Sequence, residues 1–150
     1  MIRGLYRSPN TAYISGFVYF PPPVDEVLEV PFLVDTGASW TSLFATDLLR
    51  LGDKIGTLPV ERAPIELRGV GGTLQPWTVR GGVAFVHDEG GFTTFTVNLA
   101  LIPDAAGAGL PALLGMDILS HGTLQIDPSD QKVTFDAPNG QGFHIPPPWA

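Results

Sequence analysis

Alternating apolar and polar residues dominate this chain, in short runs separated by glycines and prolines. Val, Ile, Phe, Thr and Tyr fill the runs, whereas Gly and Pro account for 18 and 15 of the 150 residues. Alternation with a period of two residues is typical of β-strands. The pattern predicts seven strands, at residues 11–20, 26–35, 63–68, 73–87, 91–102, 122–127 and 131–136. Seven short strands fit either a small barrel or a sandwich.

Two segments depart from this period. Residues 45–52 have apolar positions at helical spacing, and both this segment and residues 116–122 end in Gly, which is common at the end of a helix. We predict a short helix in each. The sequences HDEGG (87–91) and DPSD (127–130) predict hairpin turns, and HIPPPWA (144–150) predicts an extended tail. Without an internal repeat or linker, we expect residues 1–150 to form a single domain.

The composition excludes several classes of function. The net charge is −7 with only eight Lys and Arg, so no basic surface is available for nucleic acid. The chain has no Cys, which excludes thiolate sites and is typical of a reducing compartment. The first ten residues lack the apolar region of a signal peptide, and the longest apolar run, near residues 97–103, is too short to span a bilayer. We therefore expect a soluble, cytoplasmic protein without a membrane partner.

The segment VPFLVDTGASW places Asp35 directly after a predicted strand. Leu28, Val30, Phe32 and Val34 share one face of that strand, while Leu33 and Asp35 share the other. Asp followed by Thr-Gly is common at the end of a strand and has a plain explanation as a turn. The tripeptide alone is therefore a weak signal for chemistry.

Two further segments strengthen the signal from Asp-Thr-Gly. The sequence LPALLGMDILSHGTLQID (110–127) repeats the layout of apolar pair, Gly, short helix and strand, and LRGVGGTLQPW (67–77) is a Gly-rich hairpin. With Asp35, these segments resemble the retropepsins, the retroviral-type aspartic protease family. In that family Asp-Thr-Gly-Ala opens the active-site loop, two apolar residues and Gly close a loop beneath it, and a Gly-rich hairpin forms the flap. The resemblance covers about residues 12–136 and implies an all-β, closed acid-protease barrel with one or two short helices.

The resemblance also implies roles for individual residues. Asp35 would be the catalytic carboxylate, Thr36 would bind main chain of the opposite subunit near Val34, and Gly37 would give the substrate backbone close access. The flap tip would cover the substrate through Val70, with Gly69 and Gly71 permitting a tight turn. The remaining implied substrate-binding residues line side-chain pockets: Leu33, Ala38, Leu110, Pro111 and Leu113.

The chemistry explains the need for a second chain. Hydrolysis of an amide without a Ser or Cys nucleophile needs a base to activate water and an acid to protonate the carbonyl oxygen. Two carboxyls that share one proton supply both, as in the aspartic protease dyad. Because this chain has a single Asp-Thr-Gly, the sequence predicts a homodimer with one active site across the interface. The predicted activity is cleavage of extended peptides, with no cofactor.

Two positions depart from the retroviral pattern. An acidic residue usually follows the Ala, and an Arg usually follows the Gly of the second segment, forming an ion pair that braces the dimer; here these positions are Ser39 and Met116. We expect that brace to be absent or replaced. We predict that Asp117 caps the short helix that it begins.

Other interpretations fit less well. A metal site at His87, Asp88 and Glu89 with His121 and His144 lacks ligand-like spacing, and Ser39 lacks the strained elbow of a hydrolase nucleophile. The three tryptophans are better explained as core or interface residues. Two alternatives remain open: a catalytically silent retropepsin-like module that binds peptides, and an unrelated β-barrel with a chance Asp-Thr-Gly.

Overall fold

The structure is a computed structural model that describes residues 1–69, 72–103 and 109–150. Its strands are β1 Ile2–Arg3, β2 Leu5–Arg7, β3 Thr11–Phe20, β4 Glu26–Val34, β5 Ser42–Phe44, β6 Glu61–Arg62, β7 Leu67–Gly69, β8 Gly72–Leu74, β9 Trp77–Val86, β10 Phe92–Ile102, β11 Ala112–Leu114, β12 Thr123–Asp127, β13 Lys132–Asp136 and β14 Gly142–His144. Two short helices, α1 Ala45–Leu48 and α2 Met116–Leu119, accompany them, and a 3₁₀ segment, Leu49–Thr57, follows α1.

Six strands close into a barrel. Around the ring, β10 pairs with β5, β5 with β11, β11 with β4, β4 with β3, and β3 with β9, which pairs again with β10. The long pairs β3–β4 and β9–β10 are antiparallel, whereas β4–β11 and β5–β10 are parallel. The closed barrel confirms the predicted fold and settles the choice between a barrel and a sandwich.

Large apolar side chains fill the interior. Phe85 contacts Phe95 and Phe135 edge-on, with ring centroids 6.0 and 6.4 Å apart. The two-residue period of β3 and β4 is what directs one face of each strand inward. The largest fully buried side chains include Phe20, Phe32, Phe85, Phe95, Phe135, Ile14 and Leu99.

Two small sheets lie beside the barrel. Strand β13 pairs with β1 on one side and β12 on the other, and the β12–β13 connection is the hairpin turn predicted at 127–130. Strands β7 and β8 form an antiparallel hairpin in which Gly69 lies opposite Gly72. The turn predicted at 87–91 is also present, because His87 N–H donates to the carbonyl of Gly91.

The observed strands differ from the predicted ones where strands are short or interrupted. The predicted strand 63–68 is wrong: residues 63–66 form a loop between β6 and β7. The predicted strand 73–87 is broken at Gln75-Pro76, since Pro lacks the N–H that a ladder needs. Strands β1, β2, β5, β6, β11 and β14 were not predicted, because each has only two or three residues and shows no period.

The predicted helices exist but have other ends. Helix α1 covers only Ala45–Leu48 before the 3₁₀ segment, where Gly52 adopts φ 58°. Helix α2 ends at Leu119, three residues before Gly122. Of the predicted extended tail, residues 144–150, only His144 belongs to a strand, β14, which pairs with β10 in parallel. Within the three described ranges, no helix has the length and apolar character needed to cross a membrane.

Candidate active site

Asp35 follows the last residue of β4, and β11 lies alongside that end of the strand. Leu33 and Val34 pair in parallel with Leu113 and Leu114. The register continues into the loop, since Asp35 N–H donates to the carbonyl of Leu114 at 3.1 Å. The backbone of Asp35 is thereby anchored to a buried strand, while its side chain remains half-buried.

The loop between β4 and β5, residues 35–41, is called the Asp35 loop below. It turns directly after Asp35, and the carboxylate of that residue stabilises the turn. The N–H of Gly37 donates to Asp35 Oδ1 at 3.0 Å, and the N–H of Ala38 donates to the carbonyl of Asp35 at 3.1 Å. Asp favours such turns because its short side chain can accept bonds from the backbone two residues on. A Cβ on Gly37 would lie 3.2 Å from the same Oδ1, so Gly permits the close approach. Thr36 and Gly37 are exposed at the loop tip.

The second segment supports this loop from one side. Met116 N–H donates to the carbonyl of Ala38 at 2.8 Å, and Asp117 N–H donates to that of Ser39 at 3.2 Å. A Cβ on Gly115 would come within 2.6 Å of the Trp40 carbonyl group. Gly is therefore needed at residue 115 for the two loops to pack against each other.

The predicted pocket residues fall into two groups. Leu33 and Leu113 are directly paired across β4 and β11, and both are half-buried near Asp35. Ala38 and Pro111 are half-buried, and Leu110 is 49% exposed. This part of the predicted set thus presents accessible apolar surface on the strand ends and loops around Asp35.

One of the predicted flap residues, Gly69, lies on the β7–β8 hairpin. Gly69 ends β7, whereas Val70 and Gly71 lie outside the described residues. At the other end of the hairpin, Leu67 packs against a small cluster that contains Trp40. The base of the hairpin and Trp40 of the Asp35 loop therefore belong to the same apolar cluster.

The comparisons with known proteins agree with this geometry. The profile of the aspartyl protease family matches residues 21–118, a range that contains β4, the Asp35 loop, the β7–β8 hairpin and β11. This chain belongs to the aspartyl protease family.

A solved structure has a similar fold. The chain is similar in structure to a retropepsin-like aspartic protease from Rickettsia conorii, with a TM-score of 0.56 and 20% sequence identity over 93% of this chain and 92% of that one. This likeness confirms the retropepsin-like fold. Comparison with curated proteins gives no match.

In this aspartyl protease fold, sequence reasoning missed the role of two polar side chains. Thr41 is fully buried, and its hydroxyl donates to Asp117 Oδ1 at 2.7 Å. Its N–H donates to Asp117 Oδ2 at 3.0 Å. Asp117 also accepts from the N–H of Ile118 at 2.9 Å. The predicted cap is wrong, however, because Asp117 lies inside α2, whose N-cap is Gly115 and which has no side-chain cap bond. The sequence signal was a charged residue within an otherwise apolar segment, LLGMDIL.

The histidines of this family member are engaged elsewhere. His87 is buried, and its Nε2 lies 2.7 Å from the hydroxyl of Thr93. His121 packs against Phe143 and Phe95, with ring centroids 4.8 and 5.9 Å apart. Across residues 1–69, 72–103 and 109–150, no three His, Asp or Glu side chains are grouped for metal binding.

Proposed function

We propose that this protein is an aspartic endopeptidase, active as a homodimer in which two Asp35 carboxyls form the catalytic dyad. The observation that carries the proposal is the position of Asp35. It directly follows β4, its carboxylate is oriented by the N–H of Gly37, and it adjoins an exposed loop tip. Among the residues that the structure describes, no cation forms an ion pair with Asp35. A carboxyl without a paired cation can share a proton with a second one.

The homodimer follows from the number of catalytic groups. One carboxylate removes a proton from the attacking water while a protonated carboxyl donates to the carbonyl oxygen of the scissile amide. The tetrahedral intermediate then breaks at its C–N bond as the amine takes up a proton. Since each chain contributes one Asp-Thr-Gly, a second copy supplies the other carboxyl. Thr36, exposed at the tip, would bind the partner's main chain.

Apolar side chains of an extended peptide are the substrate groups that this surface fits. Leu33 and Leu113 form one apolar wall, and Leu110 and Pro111 extend it. Apolar pockets with a few polar groups are typical of peptide-binding clefts. The hairpin tip, with Gly69, Val70 and Gly71, would close over the bound peptide.

Cleavage of a peptide library by Asp35→Asn and wild-type protein tests the proposal. The substitution keeps the side-chain volume but removes the group that transfers protons, so we expect the cleavage rate to fall by at least about 10² to 10⁴-fold. Asp53→Asn is the matched control, because Asp53 is exposed in the 3₁₀ segment, and it should cleave like wild type. Equal rates in the Asp35→Asn and wild-type proteins would refute the mechanism. If both bound peptides and neither cut any, the protein would be a binding module.

A further inference from the structure

We propose that Asp117 and Thr41 are positioning residues that hold the Asp35 loop in its catalytic conformation, and that they do so within a single subunit. This inference rests on the proposed function. It assigns a purpose to a partly buried contact between residues 76 positions apart in sequence.

The Asp117 carboxylate accepts two hydrogen bonds from Thr41. Its Oδ1 accepts the Thr41 hydroxyl at 2.7 Å, and its Oδ2 accepts the Thr41 N–H at 3.0 Å. Hydrogen bonds to an ionised carboxylate are shorter and stronger than neutral ones. Because one carboxylate binds both the hydroxyl and the N–H of Thr41, it restrains the side chain and the backbone of that residue together.

The Thr41 hydroxyl also bonds to Gly115, which follows the apolar pair Leu113-Leu114. Its oxygen accepts the N–H of Gly115 at 3.2 Å while its proton goes to Asp117. Gly115 follows Leu114, whose carbonyl accepts the N–H of Asp35. Three residues, Thr41, Gly115 and Leu114, therefore link the Asp117 carboxylate to the backbone of Asp35.

The middle of the Asp35 loop bonds to the residues that follow Gly115. The carbonyls of Ala38 and Ser39 accept the N–H groups of Met116 and Asp117. These bonds hold the backbone of Asp117 against the loop, at a position from which its side chain bonds to Thr41. Asp35, Ala38 and Ser39 therefore all bond to the backbone of one four-residue segment, Leu114 to Asp117.

A carboxylate is the group that this position requires. Three donors point at Asp117: the hydroxyl and N–H of Thr41 and the N–H of Ile118. Burial raises the pKa of the Asp117 carboxyl, and the bonds from Thr41 act in the opposite direction. An amide at this position would present its NH₂ to one of the donors, so Asp117→Asn must lose at least one bond.

The test combines two variants with two controls. Thr41→Val removes the hydroxyl at constant shape, and Asp117→Asn removes one acceptor, whereas Thr41→Ser keeps the hydroxyl. Thr93→Val is the matched control: Thr93 is also a fully buried threonine whose hydroxyl makes two bonds, to His87 and to the carbonyl of Pro138. It lies on β10, seven residues, or about 23 Å of strand, from the end that pairs with β5.

We expect Thr41→Val and Asp117→Asn to lower kcat on the order of 10²-fold, since small misplacement of a reacting group has effects of that size. KM should stay within about threefold, because the pocket residues are unchanged. Thr41→Ser should restore kcat, and Thr93→Val should leave it at the wild-type value. The double variant should lose less than the product of the two single losses. Wild-type kcat in Thr41→Val, or strictly multiplicative losses, would overturn the proposal.

Amide hydrogen exchange tests the brace without any activity. In Asp117→Asn, the amides of Thr41 and Asp35 should exchange at least about tenfold faster, whereas amides of the β12–β13 hairpin should keep their wild-type rates. Uniform acceleration, or none at Asp35, would overturn the brace. Failure of wild-type protein to cleave peptides would count against the proposed function alone, because the exchange measurement would still decide whether Asp117 holds the loop.

Discussion

At the scale of single residues, the Asp35 carboxylate is positioned by its own backbone. Its Oδ1 accepts the N–H of Gly37, and its carbonyl accepts that of Ala38. A carboxylate held in this way loses little conformational entropy when substrate arrives, which is the benefit of a preorganised site. A side chain at residue 37 would compete with this carboxylate for the same space, so the loop also depends on Gly37.

Gly37→Ala is expected to impair turnover without unfolding the protein. The added methyl would lie 3.2 Å from Asp35 Oδ1, so the carboxylate must move by a few tenths of an ångström. We expect kcat to fall by about tenfold or more, since catalysis depends on such placement. The control is Gly56→Ala, where a Cβ meets nothing within 4 Å. Steady-state kinetics with unchanged kcat in Gly37→Ala would contradict this account of the loop.

Asp47 is expected to make stability depend on pH. Burial raises the pKa of its carboxyl above the ordinary 3.8, and the charge of Arg50 opposes this shift. Because the folded state binds this proton more tightly than the unfolded state, the stability contribution is present below pH 3.8 and is lost as pH rises through the folded pKa. Asp47→Asn should therefore become more stable relative to wild type between pH 3.8 and 7. Urea unfolding at both ends of that range checks this; a constant difference would contradict it.

At the scale of elements, the end of the chain supports the Asp35 loop from outside the barrel. After β14, the carbonyl of Ile145 accepts a bond from Arg80 at 2.6 Å. The chain then brings Trp149 against Trp40, with ring centroids 5.6 Å apart. Trp40 lies between Asp35 and Thr41 and is 4% exposed, so the tail covers a residue of the loop itself.

Trp149→Ala should therefore destabilise the fold modestly. Aromatic pairs contribute about 0.5–1.5 kcal/mol beyond their buried area, so we expect the free energy of unfolding to fall by about 1–2 kcal/mol. Trp149→Phe should recover part of this loss. The measurement is urea unfolding followed by circular dichroism. A Trp149→Ala variant as stable as wild type would show that the contact does not support the loop.

Long alternating elements could be predicted from sequence, and short ones could not. Strand β3 has the predicted bounds, and β4 ends one residue before Asp35, because ten residues of alternation define both a period and a face. Strands β5 and β11 are three residues each and largely buried, so they carry no period. The same limit applies to the site. Asp35 was identified by a local motif, whereas the Thr41–Asp117 contact joins residues that only the fold brings together.

At the scale of the whole molecule, the proposed dimer must form between two acidic chains. Each has a formal charge of −7 at pH 7, and the ion pair of the retroviral enzymes is replaced by Ser39 and Met116. Both residues are exposed, Met116 by 40%, beside the loop that would meet its copy. We infer that apolar and backbone contacts hold the dimer, and that net charge opposes it.

Added salt should therefore strengthen the dimer. Raising ionic strength from about 0.05 to about 0.5 M shortens the screening length severalfold and weakens repulsion between the chains. We expect the dimer dissociation constant at pH 7 to fall, as measured by analytical ultracentrifugation of Asp35→Asn protein, which should not digest itself. A dissociation constant that rises with salt would indicate that ion pairs hold the interface instead.

The central claim is that two chains build one active site, and titration with a pepstatin-type transition-state analogue tests it most directly. The inhibitor is added to a known concentration of chains well above its dissociation constant, and residual peptide cleavage is measured. One site across a two-fold interface predicts that activity ends at one inhibitor per two chains, and that specific activity rises with protein concentration until the dimer saturates. An end point of one inhibitor per chain, with full activity from a species that light scattering shows to be monomeric, would contradict the account.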